Sequence, residues 1–220
     1  MKVKAGRRWC RFEGFSEMSD IHGDSMSGVD LELETGRLLL RPLVEDDWDM
    51  VLETFTDPEV MKFVADISDE ETLAAEMKAY IRRGAGGRIG VWCVLRRETG
   101  EKLGTSVLLP MPIEEHDTDW SLLQEDRYPD ADIEVGYILK RSAWGNGYAT
   151  EACRRLVQFA FEETELDEIV AVTDPRNAVS QKVLRKCGLR DEGLRRAYAE
   201  ECPAFRISRK QWLELQAASV

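Results

Sequence analysis

Two short stretches of the chain hold residues whose types and spacing could do chemistry. The first is SAWGNGYATEA, residues 142–152. Gly145 and Gly147 lie two positions apart, behind an apolar run and ahead of a stretch with helical spacing. The free N–H groups at a helix start, with the positive end of its dipole, bind anions. Glycine lets a phosphate approach the main chain and tolerates φ > 0. The pair therefore points to a di- or triphosphate held by backbone amides, with a plain tight turn between strand and helix as the alternative. A Walker loop would need Gly-Lys-Ser/Thr, and Tyr148 and Ala149 stand there instead. A dinucleotide fingerprint would need a third glycine where Thr150 stands. The second stretch is IEVGYIL, residues 133–139, in which Glu134 is the one acid among apolar neighbours. Burial would raise the pKa of such a carboxyl toward the working pH, which suits a general base. The other reading puts Glu134 at the outer start of a strand, in an ion pair.

The composition narrows the chemistry further. His22 and His116 have no metal-ligand partners beside them, so no metal site is expected. Cys10, Cys93, Cys153, Cys187 and Cys202 are scattered, odd in number and without a CxxC pair. They read as reduced thiols in a cytoplasmic protein. The formal charge of −12 argues against a general nucleic-acid binder, which needs a basic surface. It suits a cationic substrate, and it would equally keep the chain soluble. No apolar run approaches the ~18 residues of a membrane span, so no membrane partner is expected. The N-terminal MKVKAGRRWCRFEG lacks the apolar block of a secretory signal. With 220 residues, 43% of them hydrophobic, one domain is the default.

The two stretches must be positioned by elements that the pattern also reveals. Residues 1–30 show no period and read as a disordered tail, ahead of a single domain over 31–220. GRLLLRPL reads as a strand ended by Pro42. EDDWDMVLETF and DPEVMKFV read as helices, and Ser68 with Glu71 as the capping box of a third. IGVWCVLRRETGEKLGTSVLLPM reads as a hairpin turning at Glu98 to Glu101. Residues 110–131 read as a long acidic loop, and long loops in compact domains are often functional. DIEVGYILK is apolar on both faces, which places it centrally in a sheet. A helix from Tyr148, the buried strand EIVAVTD and a helix capped by Asn177 and stopped at Gly188 follow. The remaining sequence reads as two strands and a polar end.

The order strand, xxxWGxGYAxEA, helix, strand, DPxNxxSxxVLxKxG resembles the GNAT superfamily of acyl-coenzyme A transferases. It is more closely similar to the branch with ribosomal-protein N-terminal alanine acetyltransferases. The resemblance extends from about Leu33 to Trp212, with TGRLLLRPL and the DPEVMKF helix typical of the N-terminal half. About thirty residues separate the two parts of the motif, and the joint pattern is highly specific. It implies an α/β fold: a mixed, mostly antiparallel sheet of about six to seven strands, flanked by helices and splayed in a V beside strand 132–140. It implies acetyl-CoA as co-substrate. The pyrophosphate would sit on the N–H groups of Trp144, Gly145, Asn146, Gly147 and Tyr148, with Ala149 next in the turn. The pantetheine arm would run along Tyr137, Ile138 and Leu139.

The resemblance also assigns roles and leaves some open. Many members carry Gln or Arg three residues before the first glycine, where this chain has Ser142. The adjacent Arg141 is the loose substitute. Asn177 contacts the arm in the family, and would serve equally as a helix cap. Ser180 holds the position of a serine near the sulfur, where it would hydrogen-bond more than deliver a proton. An ordinary first-turn serine is the alternative. Many members use a Tyr in that helix, and residues 177–188 have none; Tyr137 and Tyr198 stand as further candidates. Some relatives place a base five residues before the Asn, but Val172 occupies that position and cannot act. The implied reaction is direct attack by a primary amine, on a protein N-terminus or a small cationic molecule, with no metal and no covalent enzyme intermediate. An aminoglycoside or polyamine acceptor and a non-catalytic acyl-CoA-binding module are the alternatives. Relatives are often dimers, so the chain is expected to be a monomer or homodimer.

Overall fold

The computed structural model describes residues 31–218. The tail expected over 1–30, with Cys10, lies outside the described residues. Among these, eight strands form one sheet in the order β1-β2-β3-β4-β5-β6-β8-β7. Strand β1 (Leu33–Glu34) pairs with β2 (Leu38–Pro42), which stops at Pro42, where a backbone donor is missing. β3 (Gly90–Arg96) and β4 (Lys102–Pro110) form the expected hairpin. β5 (Ile133–Leu139) is central, as its apolar run demands, and β6 (Glu168–Val172), β7 (Arg190–Ala197) and β8 (Glu200–Ser208) complete the sheet. All pairings are antiparallel except β5 with β6. The six or seven strands expected become eight because β1, only two residues long, also pairs.

Helices cover the sheet. Helix α1 (Trp48–Phe55) follows a 3-10 turn whose Asp47 is fully buried. Asp47 accepts from both terminal nitrogens of Arg41, at 2.7 and 2.8 Å, and lies 3.3 Å from Lys102 Nζ. Burial disfavours this charge, but the Arg41 guanidinium holds the carboxyl below the usual range. Asp57 caps α2 (Pro58–Met61) by accepting from Glu59 N at 2.9 Å. Helix α3 (Glu70–Tyr80) corrects the capping-box reading: Asp69, not Ser68, is the cap, accepting from Thr72 N at 2.8 Å. With the cap one residue later, the donor satisfied is Thr72 N and not Glu71 N. Helix α4 (Tyr148–Glu162) and α5 (Ala178–Lys186) fall as expected.

The polar end also needs correction. It forms α6 (Arg209–Ala217), started by a capping box of Ser208 and Gln211. Only Trp212 is buried in it, with its ring 5.8 Å from that of Phe161, so the apolar period was too sparse to read. The acidic loop is less free than its composition implies. Trp120 and Leu123 are buried, and Trp120 lies 5.6 Å from the Tyr80 ring. The four described cysteines are unbridged and buried. No described helix is long and apolar enough to cross a membrane.

One sheet irregularity creates the site. β4 and β5 pair from Gly104↔Leu139 to Pro110↔Ile133, whereas β5 and β6 share a single parallel pair, Glu134↔Val170. Beyond it the two strands part, which is the V-shaped splay.

Candidate active site

The splay opens into a cleft of about 730 Å³. Its walls come from β5, the loop into α4, the end of β6, α5 and the segment 59–64, with Tyr198 closing one end. Glu134 marks the apex, and Leu139 leads to the glycine loop. Five residue steps of extended strand separate them, about 17 Å.

The glycine end is built from main chain. Gly145 and Gly147 have φ of 77° and 80°, a left-handed region where side chains are strained. Gly147 is the N-cap of α4, and a Cβ on Gly145 would meet nothing within 4 Å. The main chain at Gly145 is thus open to a ligand at the start of α4. Those features fit a phosphate-bearing coenzyme. The Trp144 N–H already bonds Arg141 O at 3.1 Å, so the amides available to an anion begin at Gly145, a correction to the set of five. Trp144 is half exposed and donates its indole N–H to Leu139 O at 2.7 Å. Asn146 folds its amide back onto Ala143 O and Trp144 O.

Two residues that sequence reasoning missed brace this loop. Arg37 donates to Asn146 O at 3.0 Å, pairs with Glu151 at 2.6 Å, and lies 4.8 Å over the Tyr148 ring. Glu151 also accepts from Thr35 Oγ1 at 2.6 Å and Arg37 N at 3.0 Å. Burial opposes its charge, but these donors hold its pKa below the ordinary value. The signal was present in the TGR and YATEA strings, read there only as family pattern. Arg141, offered to a phosphate, is engaged with Asp57 at 2.6 Å and ties the loop to α2.

The opposite end is built from side chains. Glu134 is 6% exposed, and the Tyr198 hydroxyl donates to its Oε1. Burial and the Glu134 charge push the Tyr198 phenol well above its ordinary pKa, so it stays a donor. Tyr137 bonds both Ser180 O at 3.2 Å and Ser180 Oγ at 3.0 Å. Burial raises its pKa as well. Asn177 caps α5 by accepting from Ser180 N at 3.1 Å. Ile138, Leu139 and Ala149 line the cleft between the two ends. The structure thus gathers every proposed site residue except Arg141 and Asn146 into the cleft lining. Those two stand beside it, held by the contacts above.

The profile of the acetyltransferase (GNAT) domain matches residues 37–190, well over half of the chain. The chain belongs to the GNAT acetyltransferase family. This GNAT chain is 31% identical over 199 residues to the FsC-acetyl coenzyme A-N(2)-transacetylase of Aspergillus fumigatus, covering 86% of this chain and 80% of that one. A shorter match, 37% over 60 residues, joins 27% of it to 33% of the putative ribosomal N-acetyltransferase YdaF of Bacillus subtilis. In three dimensions it is similar to the acetyltransferase from Agrobacterium tumefaciens, with a TM-score of 0.66 at 23% identity, over 84% of this chain and 98% of that one. This GNAT chain is an acetyl-CoA-dependent acetyltransferase.

Proposed function

We propose that the acceptor is a primary amine, cationic in solution, and that Glu134 takes its proton. The observation that carries this reading is the buried Glu134 carboxylate at the apex of the cleft, at the far end of β5 from the glycine loop. An ammonium has no lone pair to attack with, so a base must act first. Glu134 is suited to receive that proton, and the cleft shields it from bulk water. Acetyl-CoA supplies an activated acyl carbon and a thiolate leaving group. The amides from Gly145 to Tyr148 would hold its pyrophosphate. β5, unpaired toward β6 beyond Glu134, would hold the arm by strand-like hydrogen bonds at Tyr137 to Leu139. Asn177 would contact the arm with the part of its amide that does not cap α5. Ser180 would donate a hydrogen bond toward the departing sulfur. The new C–N bond forms as the C–S bond breaks; the ammonium's first proton goes to Glu134, and the second, shed by nitrogen after attack, neutralises the departing thiolate.

The name of the Aspergillus relative, a transacetylase at an N(2) position, supports an amine acceptor. A protein N-terminus and a small amine fit the same chemistry. The short match to a ribosomal N-acetyltransferase favours the first and covers a quarter of the chain. The test is thiol release from acetyl-CoA with N-terminal peptides, polyamines and aminoglycosides, for the parent and Glu134→Gln. The variant should lose about 10²-fold or more in turnover with little change in coenzyme affinity. Turnover that survives the substitution would remove Glu134 from the reaction.

A further inference from the structure

We propose that Tyr198 is a positioning residue for proton removal: a left-handed turn and the loop at 112–113 lock its hydroxyl onto Glu134, fixing that carboxylate's orientation and favouring its ionised form. The inference rests on Glu134 as the base.

The turn gives the first argument. Ala197 pairs with Glu200, so Tyr198 and Ala199 alone make the bend between β7 and β8. Their φ angles are 53° and 57°. A two-residue hairpin of this kind favours Asn and Gly, and other side chains are strained in it. A tyrosine in that conformation, with its side chain buried against a carboxylate, marks a place where local strain accompanies function.

The second argument is that the turn cannot swing away. Tyr198 N donates to Pro112 O at 3.1 Å and Ala199 N to Ile113 O at 2.9 Å. These bonds pin the hairpin tip to the start of the acidic loop. Met111, Val170 and Ala197 pack with the Tyr198 ring. The start of this loop therefore sets where the hydroxyl points.

The third argument is chemical. In the sheet Glu134 stands between Leu109 and Val170, both buried and apolar. That setting favours a neutral carboxyl, which could not accept a proton. A hydroxyl donor favours the charged form. The other charged groups around the cleft are Glu59 and Lys62 near α2, Asp174 paired with Arg176 after β6, and Lys182 and Lys186 on α5. On the loop side Asp117 acts on Tyr198, and the Arg195–Asp132 ion pair joins β7 to the start of β5. All of these remain when the hydroxyl alone is removed. Glu134 passes one proton from the ammonium to solvent, the second proton of the amine ends on the departing thiolate, and Tyr198 keeps its own.

The experiment is the pH profile of kcat/KM with acetyl-CoA and a turned-over amine, for the parent, Tyr198→Phe, Ala199→Gly and Glu134→Gln. Tyr198→Phe should move the acid limb up by about one pH unit or more, since hydrogen bonds to charged groups are of that strength. Activity below the limb would fall about tenfold and return at alkaline pH, with coenzyme affinity held within twofold. Ala199→Gly removes the strain at φ 57° while keeping the turn's geometry and the hydroxyl, so its limb should stay in place. An unmoved limb in Tyr198→Phe, an equal loss at every pH, or the same shift in Ala199→Gly overturns the inference. A fully active Glu134→Gln overturns the assignment of the base instead, so the two failures are distinguishable.

Discussion

The two ends of the cleft hold opposite kinds of chemistry. In the proposed reading the working groups at the glycine end are exposed main-chain amides, braced by the side chains of Arg37 and Glu151. At the Glu134 end the proposed working groups are buried side chains, and the main chain of the 198–199 turn is bonded to the 112–113 loop behind them. An exposed multiply charged ligand needs many weak donors that stay solvated until it binds. A single proton transfer needs one group whose charge state is set by burial and a partner. The contrast predicts that changes at one end should alter coenzyme affinity and at the other the rate.

The sharpest break of that contrast is reciprocal. Glu134→Gln should cost about 10²-fold or more in turnover and leave coenzyme binding near the parent value. Gly147→Val forces a β-branched residue to φ near 80° and should weaken coenzyme binding about tenfold or more. Its stability should fall by about 1–2 kcal/mol, read by titration calorimetry and thermal unfolding. If Gly147→Val lowered only the saturated rate, the division between the ends would be wrong.

A smaller effect is expected at the brace. The Arg37–Glu151 pair is partly exposed, and such pairs contribute roughly 0–1 kcal/mol. Arg37→Ala should therefore raise the coenzyme Kd by about two- to fivefold. The Glu151 carboxyl is held below its ordinary pKa in the folded state. Its contribution is complete only above the ordinary value of 4.5 and is lost as the pH falls through the lower folded value. The parent's stability should decline over that acid range more steeply than that of Glu151→Gln. The smallest effect is at the turn. Ala199→Gly should stabilise the chain by about 1 kcal/mol, because glycine adopts φ > 0 without steric cost and loses part of the gain to entropy. A drop in melting temperature would mean that the turn is unstrained.

Legibility in the sequence followed the same division. The glycine loop was readable because its chemistry lies in adjacent residues, with conformations only glycine adopts. Glu134 was readable as an acid inside an apolar strand. Its partner Tyr198 lies 64 positions away, and no local pattern links the two; only the order of β6, β8 and β7 brings the turn back to β5. Arg37 and Glu151 are 114 positions apart and meet for the same reason. Elements with a strong apolar period fell within a residue or two of expectation. Helix α6 did not, since one buried tryptophan carries its docking.

The sheet's outer boundaries have a consequence of their own. One border is a two-residue strand, β1. At the other, β7 exposes most of its length, carries five charged residues and is broken by a bulge between Asp191 and Gly193. Short, charged and bulged borders are poor templates for recruiting a further strand. Two copies of this chain would therefore have to meet through helices or loops, and crowding alone should not draw the sheet into fibres.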